Sequence, residues 1–150
     1  MNFKILNARD IRGILALIES QWDAKIKLDF VFLTDKNDKL YIINKEFVDL
    51  NLDKMRIQSI GLYFGTILNG ELRLSIEGSQ IVGPKAKKNV IDMTDEQVKA
   101  WLKGEDIKAE NKENVFVILK HNSDFIGTGK FRDDRVLNFV PKERRLKVAF

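Results

Sequence analysis

Apolar side chains in the first part of the chain have the spacing of one helix face. They recur at intervals of three or four residues between positions 8 and 22, which aligns them along one side of an α-helix. The residues concerned are Ile11, Ile14, Leu15, Ile18 and Trp22. Asn7 precedes this run, and its side chain can accept a hydrogen bond from a free N–H group at the helix start. The pattern therefore predicts a helix over residues 8–22.

The next part of the chain has the composition of strands and tight turns. Four segments predict strands, namely 29–33, 39–43, 60–68 and 72–75. A turn at residues 36–38 would join the first two, and Asn44 is then expected to cap a short helix that carries Phe47 and Leu50. Asn69-Gly70 would join the last two strands, because this pair readily adopts the positive φ angles of a type I′ hairpin turn.

The second half of the chain predicts a short helix followed by more strands. Residues 76–83 predict a single short helix that Gly83 and Pro84 stop, with a loop over residues 85–88 after it. The strands predicted in this half are 89–93, 115–120, 125–132 and 135–140. Asp133 and Asp134 have the chemistry of a turn between the last two strands.

A longer helix separates the first of these strands from the others. Thr94 and Gln97 have the spacing of a capping box, and Gly104 is a typical residue just beyond a helix end. Together these elements predict an α+β fold with two units, residues 1–70 and residues 71–150. No linker rich in proline and serine separates the units, so we expect the hairpin at Asn69-Gly70 to join them.

Composition favours an acidic partner. The 150 residues carry a formal net charge of +4 with a sequence pI near 9.2. Residues 71–150 hold most of this excess, with 16 basic and 13 acidic side chains against 10 and 9 in residues 1–70. Basic side chains gain free energy when they displace counterions from nucleic-acid phosphates. No apolar run is long enough to span a bilayer and the N-terminus lacks a signal-peptide pattern, so we expect a soluble, cytoplasmic protein.

Signatures of enzymes are missing from the sequence. The Gly129-Lys130 pair lacks both the first glycine and the following hydroxyl residue of a phosphate-binding loop. His121 is the single histidine and the chain has no cysteine, which excludes zinc sites of the His/Cys type and thiol chemistry. The adjacent acids Asp133 and Asp134 belong to a hydrated turn. The sequence therefore predicts no catalytic residue, no metal site and no cofactor.

Two basic clusters are the candidate binding residues. The first follows the short helix and contains Lys85, Lys87 and Lys88, while the second lies near the C-terminus. The second cluster and the basic strand residues upstream of it comprise Lys130, Arg132, Arg135, Lys142, Arg144, Arg145 and Lys147. Such cations can hold a phosphate backbone, and arginine can also stack on bases. The alternative is that each cluster is an ordinary solvated surface.

The order of these segments resembles a PUA domain, the module named after pseudouridine synthases and archaeosine transglycosylases. The resemblance covers about residues 71–148. Its elements are ELRLSIEGSQIVG at 71–83, NVID at 89–92, WLKGED at 101–106 and FIGTGK at 125–130. It implies a PUA pseudo-β-barrel in the second unit.

Two groups of PUA proteins share further features with this chain. Residues 39–47 and 59–65 resemble the α/β pre-PUA domain of Nip-type ribosome-biogenesis factors, which bind RNA through the PUA half. Residues 138–145, NFVPKERR, resemble the PUA tail of Sun-type RNA cytosine-5 methyltransferases. Those enzymes use cysteines and a cofactor-binding domain, and this chain has no cysteine, so only the binding appendage could be shared.

The resemblance implies an RNA surface made by the short helix, the loop after it and the end of the last strand. The residues expected to bind RNA are Gly83, Lys85, Lys87, Lys88, Arg132, Arg135, Lys142, Arg144 and Arg145. The backbone near Gly83 would allow close approach. The leading hypothesis is a non-catalytic protein that docks on structured ribosomal or transfer RNA, in ribosome biogenesis or RNA modification.

A second hypothesis assigns the main interaction to the N-terminal unit. The chain would then be an adaptor or accessory subunit for an RNA methyltransferase or a ribosome-assembly factor. An exposed apolar patch with Leu52, Met55 or Ile57 would favour it. An RNA-modifying enzyme is the third alternative, and the missing cysteines and cofactor loop argue against it.

Overall fold

The computed structural model describes residues 3–45, 61–110 and 113–145. In these ranges the chain forms helices and two five-stranded sheets, which confirms the α+β class. The short helix predicted after Asn44, with Phe47 and Leu50, lies outside the described residues, as do Leu52, Met55 and Ile57. Asn44 itself ends a strand.

The N-terminal sheet is an antiparallel meander. Its strands follow one another in chain order, each hydrogen-bonded to the next. They are β1 (Lys4–Ile5), β2 (Phe30–Thr34), β3 (Lys39–Asn44), β4 (Leu62–Leu68) and β5 (Glu71–Leu74). The turn between β4 and β5 has φ angles of 49° at Asn69 and 78° at Gly70, which confirms the type I′ prediction.

One helix packs on this sheet. Helix α1 (Ala8–Trp22) begins at Asn7, whose side chain accepts a hydrogen bond from the N–H of Asp10. The apolar face predicted from the sequence is buried at Ile14, Ile18 and Trp22. The bounds and the N-cap of this helix were both predicted correctly.

The second sheet has a crossed strand order. Its strands are β6 (Val90–Asp92), β7 (Ile107–Lys108), β8 (Phe116–His121), β9 (Asp124–Arg132) and β10 (Arg135–Asn138). They are arranged as β6-β8-β9-β10-β7, and only the β6–β8 pair is parallel. Helix α3 (Asp95–Leu102) lies in the connection from β6 to β8, and Thr94 and Gln97 form the predicted capping box. Strand β10 ends at Asn138, two residues earlier than predicted.

The short helix between the sheets is followed directly by a turn of 3₁₀ helix. Helix α2 (Ile76–Val82) is capped by Ser75. As predicted, the α-helix stops at Gly83, which is its C-cap. Gly83 and Pro84 then begin a 3₁₀ turn that extends to Lys85, where the sequence predicted a loop. Gly83 has helical angles, φ −50° and ψ −47°, and the fixed φ of proline suits the first turn of a helical segment.

Two apolar cores meet on opposite faces of β8. The first core includes Phe116 and Ile118 together with buried residues of α1, β4 and β5. The second includes Val117 and Leu119 together with Trp101 of α3. Because strand side chains alternate between faces, one central strand contributes to both cores. The boundary predicted between residues 70 and 71 stays a prediction, and the first core draws on residues from both sides of it.

Candidate nucleic-acid interface

The 3₁₀ turn after α2 packs against the start of β9. A Cβ atom at Gly83 would lie 2.2 Å from Cδ1 of Phe125, so the missing side chain makes room for the aromatic ring. Gly83 is buried beneath this contact. The sequence suggested that Gly83 exposes its backbone to RNA. In the structure the Phe125 ring packs beside Gly83, and Gly83 lines the same depression as Lys87 and Lys88. Its contact with RNA stays a prediction.

A groove runs across this contact. Two adjoining depressions share Pro84 and Phe125 in their walls. One continues to Lys87, Lys88 and Lys120, and the other continues to Arg144. We call the surface formed by these two depressions, from Lys87 and Lys88 over Pro84 and Phe125 to Arg144, the basic groove. It brings one member of the C-terminal cluster onto the same surface as two lysines of the loop.

The lysine end of the basic groove is held by backbone contacts with α1. The N–H groups of Lys87 and Lys88 donate to the carbonyl oxygen of Trp22 at 2.8 and 3.2 Å. The side-chain amide of Asn89 donates to the carbonyl oxygen of Gln21 at 2.6 Å. Both lysine side chains are exposed, as is that of Lys85 at the end of the 3₁₀ turn. A fixed backbone with free cationic side chains suits a phosphate surface.

At the arginine end of the basic groove, the arginine side chains make hydrogen bonds within the protein, unlike the exposed lysine side chains of the loop. Arg144 Nη1 donates to Glu77 Oε1 at 2.7 Å, and the arginine side chain remains 47% exposed. Arg145 Nε donates to the carbonyl oxygen of Val140 at 2.9 Å. Its side chain packs beside Gly104, where a Cβ atom would lie 2.5 Å from that nitrogen. Arg145 thus fastens the C-terminal segment, while Lys142 is exposed at the start of a second 3₁₀ turn, Lys142–Arg144.

Two predicted site residues lie away from the basic groove. Arg132 ends β9, seven residues beyond Phe125, which corresponds to about 23 Å along a strand. Arg135 pairs with Arg132 across the β9–β10 turn. Their side chains approach Asp133 at 4.0 Å and Asp106 at 3.9 Å, respectively. The structure therefore does not bring them together with the loop lysines, and their contact with RNA stays a prediction.

Two residues of the basic groove, Lys120 and Phe125, were not among the predicted site residues. Lys120 of β8 lies with its Nζ atom 5.7 Å from the ring centre of Phe125. This places an additional cation and a half-buried aromatic ring beside the loop lysines. Neither residue belongs to a basic cluster in the sequence. Only the fold of strands β8 and β9 places them beside the loop lysines. Lys147 lies outside the described residues.

Side chains that can ligate metals are scattered over the described part of the chain. No group of three or more His, Cys, Asp or Glu side chains there could hold a metal ion. His121 Nε2 lies 2.6 Å from Asp95 Oδ1, a partner on the helix that follows β6. No helix in the described ranges is both long and apolar enough to cross a membrane.

Comparison with known proteins identifies the class of the C-terminal region. Residues 88–146 match the family model described as the methyltransferase RsmF PUA domain. The predicted resemblance to the PUA tail of Sun-type methyltransferases is thereby confirmed, and a PUA domain lies in the C-terminal part of the chain. The resemblance of the first half to Nip-type factors stays a prediction.

The similar curated proteins carry the name ribosomal RNA small subunit methyltransferase F. That of Shewanella sp. MR-4 is 24% identical over 149 residues, which cover 94% of this chain and 30% of the relative. That of Shewanella oneidensis is 26% identical over 123 residues, 81% of this chain and 26% of the relative. That of Aeromonas salmonicida is 24% identical over 112 residues. The chain thus spans about 30% or less of these relatives.

Proposed function

We propose that this chain is a non-catalytic RNA-binding protein that docks on structured RNA, ribosomal or transfer RNA, through the basic groove. The observation that carries the proposal is the meeting of Lys87, Lys88 and Arg144 on one surface within a PUA region related to an RNA methyltransferase. Lysines would contact phosphates, and Phe125 would supply an apolar floor. Folded RNA helices are recognised mostly by shape and backbone, so weak sequence preference is expected.

A role without catalysis is consistent with the groups that the groove offers. Its charged side chains are mainly lysine and arginine, and Asp92 and Asp124 also line it. These groups suit binding and charge neutralisation of phosphates. The setting is ribosome biogenesis or RNA modification, where a PUA domain would position RNA for an enzyme.

The first experiment is fluorescence anisotropy with a structured RNA and a DNA duplex of matched sequence, across a salt series. The RNA should bind more tightly than the DNA. Its affinity should fall with salt at a log–log slope that corresponds to roughly three to six phosphate contacts. Absence of RNA binding even at low salt would contradict the proposal.

A pair of double variants tests the groove itself. Lys87→Ala with Lys88→Ala should weaken RNA binding and make its salt slope shallower by about two phosphate contacts. The control is Arg9→Ala with Arg12→Ala, which removes the same charge from exposed positions. These arginines lie ten or more residues before Trp22, about 15 Å or more along α1. Equal losses in both variants would mean that net charge, rather than the groove, attracts RNA.

A second candidate function is a protein-interaction adaptor or accessory subunit for an RNA methyltransferase or ribosome-assembly factor. The observation that favours it is the exposure of apolar side chains on the N-terminal sheet, Ile5 at 54% and Leu62 at 42%. Scattered exposed residues of this kind are common on monomeric proteins. Affinity capture from nuclease-treated lysate distinguishes the two functions, because a protein partner survives nuclease treatment and an RNA-bridged one is lost.

A further inference from the structure

The segment that joins α1 to β2 exposes two lysines at alternate positions. Residues 23–29 belong to no helix or strand, and exposed side chains alternate there with buried or half-buried ones. The inward side chains are apolar and pack in the first core, namely Ala24, Ile26 and Leu28. Lys25 and Lys27, here called the connecting lysines, point outward between them and are exposed. The core therefore holds the backbone of this segment, and both cationic side chains remain in solvent.

The connecting lysines come close to the lysine end of the basic groove. The carbonyl oxygen of Trp22 accepts hydrogen bonds from the N–H groups of Lys87 and Lys88. Lys25 follows Trp22 by three residues, which span at most about 11 Å. The contact between α1 and the loop thus brings two pairs of lysines, more than 60 positions apart in the sequence, to the same helix end.

Positive charge is in excess around this helix end. The exposed lysines there are Lys25, Lys27, Lys85, Lys87 and Lys88. None of the ion pairs in the described ranges includes any of them. Glu19 and Asp23 are exposed nearby, and Asp29 pairs instead with Lys45 at 2.5 Å. Concentrated like charges repel one another and destabilise the folded state, and a polyanion that binds here would remove this cost.

The surface beside the connecting lysines is concave. A depression of about 370 Å³ is lined by both lysines, by Glu19 and by apolar side chains that include Leu15 and Ile26. No aromatic ring is among its lining residues, so bases have no surface there on which to stack. Cations at the rim of such a depression suit the phosphates of a nucleic-acid backbone rather than its bases.

We propose that the connecting lysines bind phosphates of the same RNA that the basic groove holds, so that the RNA backbone crosses the end of α1. This inference rests on the proposed function. It assigns RNA contact to the N-terminal part of the chain, for which the sequence suggested only a protein partner. The backbones of both lysine pairs are fixed before RNA arrives, which lowers the ordering cost of binding.

Two double variants test the inference by anisotropy with a structured RNA across a salt series. Lys25→Ala with Lys27→Ala should weaken binding at least about threefold near 0.1 M salt and lower the log–log slope by about two phosphate contacts. The control, Lys4→Ala with Lys36→Ala, removes the same charge from exposed positions at the far end of β2. It should change affinity by less than about twofold.

A charge-preserving variant excludes a loss of structure as the cause. Lys25→Arg with Lys27→Arg keeps both cations and should bind RNA as the wild type does, because phosphate contacts need positive charge at these positions. An affinity as low as that of the alanine variant would contradict a phosphate contact.

Lysine acylation of the wild type, measured by mass spectrometry, locates the contact directly. Bound RNA should slow the acylation of Lys25 and Lys27, as it slows that of Lys87 and Lys88, and leave Lys36 unaffected. Protection of Lys87 and Lys88 alone, or equal losses of affinity in the alanine variant and its control, would overturn this inference and leave the basic groove standing. Failure of the wild type to bind RNA would overturn both proposals.

Discussion

At the scale of single residues, Gly129 is the glycine that closes the contact between β9 and β10. A Cβ atom there would lie 2.4 Å from Cγ1 of Val136 and 2.8 Å from Cη2 of Trp101, both of which are fully buried. Neither neighbour can move without disturbing the second core. We expect Gly129→Ala to lower the free energy of unfolding by about 1–3 kcal/mol, measured by urea denaturation.

The matched control is the same substitution at Gly13, an exposed position of α1. A Cβ atom at Gly13 would meet no other atom within 4 Å, and Gly13 lies inside α1. Gly13→Ala should therefore raise the free energy of unfolding by about 0.5–1 kcal/mol. If both variants changed stability in the same direction, the steric explanation for Gly129 would be wrong.

Tyr41 provides a prediction about alkaline pH. Burial, followed by the negative charge of Asp35 and the neighbouring Tyr63, raises the pKa of Tyr41 above its usual value of 10.0. The folded state thus favours the neutral phenol. The resulting stability is present below the unfolded-state pKa and is lost as pH rises through the higher folded-state pKa.

The substitution Tyr41→Phe keeps the ring contacts with Phe3 and Tyr63 and removes the titrating group. The free energy of unfolding of the wild type should decrease more than that of Tyr41→Phe between about pH 9 and pH 11. Urea unfolding at both pH values measures the difference, and other titrating groups cancel in the comparison. Parallel pH profiles would contradict the assignment.

At the scale of elements, the cap of α2 connects helix stability to the basic groove. Ser75 Oγ accepts a hydrogen bond from the N–H of Gly78 at 2.9 Å and donates to the carbonyl oxygen of Tyr63 at 2.6 Å. Ser75→Ala removes both bonds and should cost about 1–2 kcal/mol. RNA affinity should fall as well, because α2 carries Ile76 and Gln80 into the groove wall.

Thr94→Ala is the control for this cap. The Thr94 hydroxyl accepts from the N–H of Gln97 at 3.2 Å, at the end of α3 opposite to Leu102, which lines the groove. The substitution should cost about 1 kcal/mol and leave RNA affinity unchanged. Urea denaturation and anisotropy on both variants check the pair. Equal effects on RNA binding would mean that general destabilisation, rather than the position of α2, controls affinity.

The elements that sequence predicted well are those specified by local chemistry. The caps at Asn7 and Thr94 and the turn at Asn69-Gly70 depend on side chains within four residues of the groups they satisfy. The contact between Phe125 and Gly83 joins residues 42 positions apart in the sequence. No local sequence pattern indicates this contact. The separation of Arg132 from Lys87 has the same origin, since strand direction decides which end of β9 a residue occupies.

At the scale of the whole molecule, β8 connects the two cores. Phe116 and Ile118 face the core built around α1, while Val117 and Leu119 face the core built around α3. Because both cores include side chains of β8, displacement of this strand would expose apolar residues of both cores to solvent. A run of five consecutive apolar residues, 115–119, predicts a buried strand. It does not predict which core each face joins. The pairing of β8 with β6 and β9 supplies that information.

The two tryptophans of the chain test whether the cores unfold together. Trp22 lies in the first core and Trp101 in the second, and each is fully buried. In Trp101→Phe the fluorescence reports only on the first core, and in Trp22→Phe only on the second. In each variant the midpoint of urea unfolding by fluorescence should coincide with the midpoint by circular dichroism, because a cooperative unit unfolds in one transition. Separated midpoints would mean that the chain consists of two independently stable units, and that β8 does not couple them.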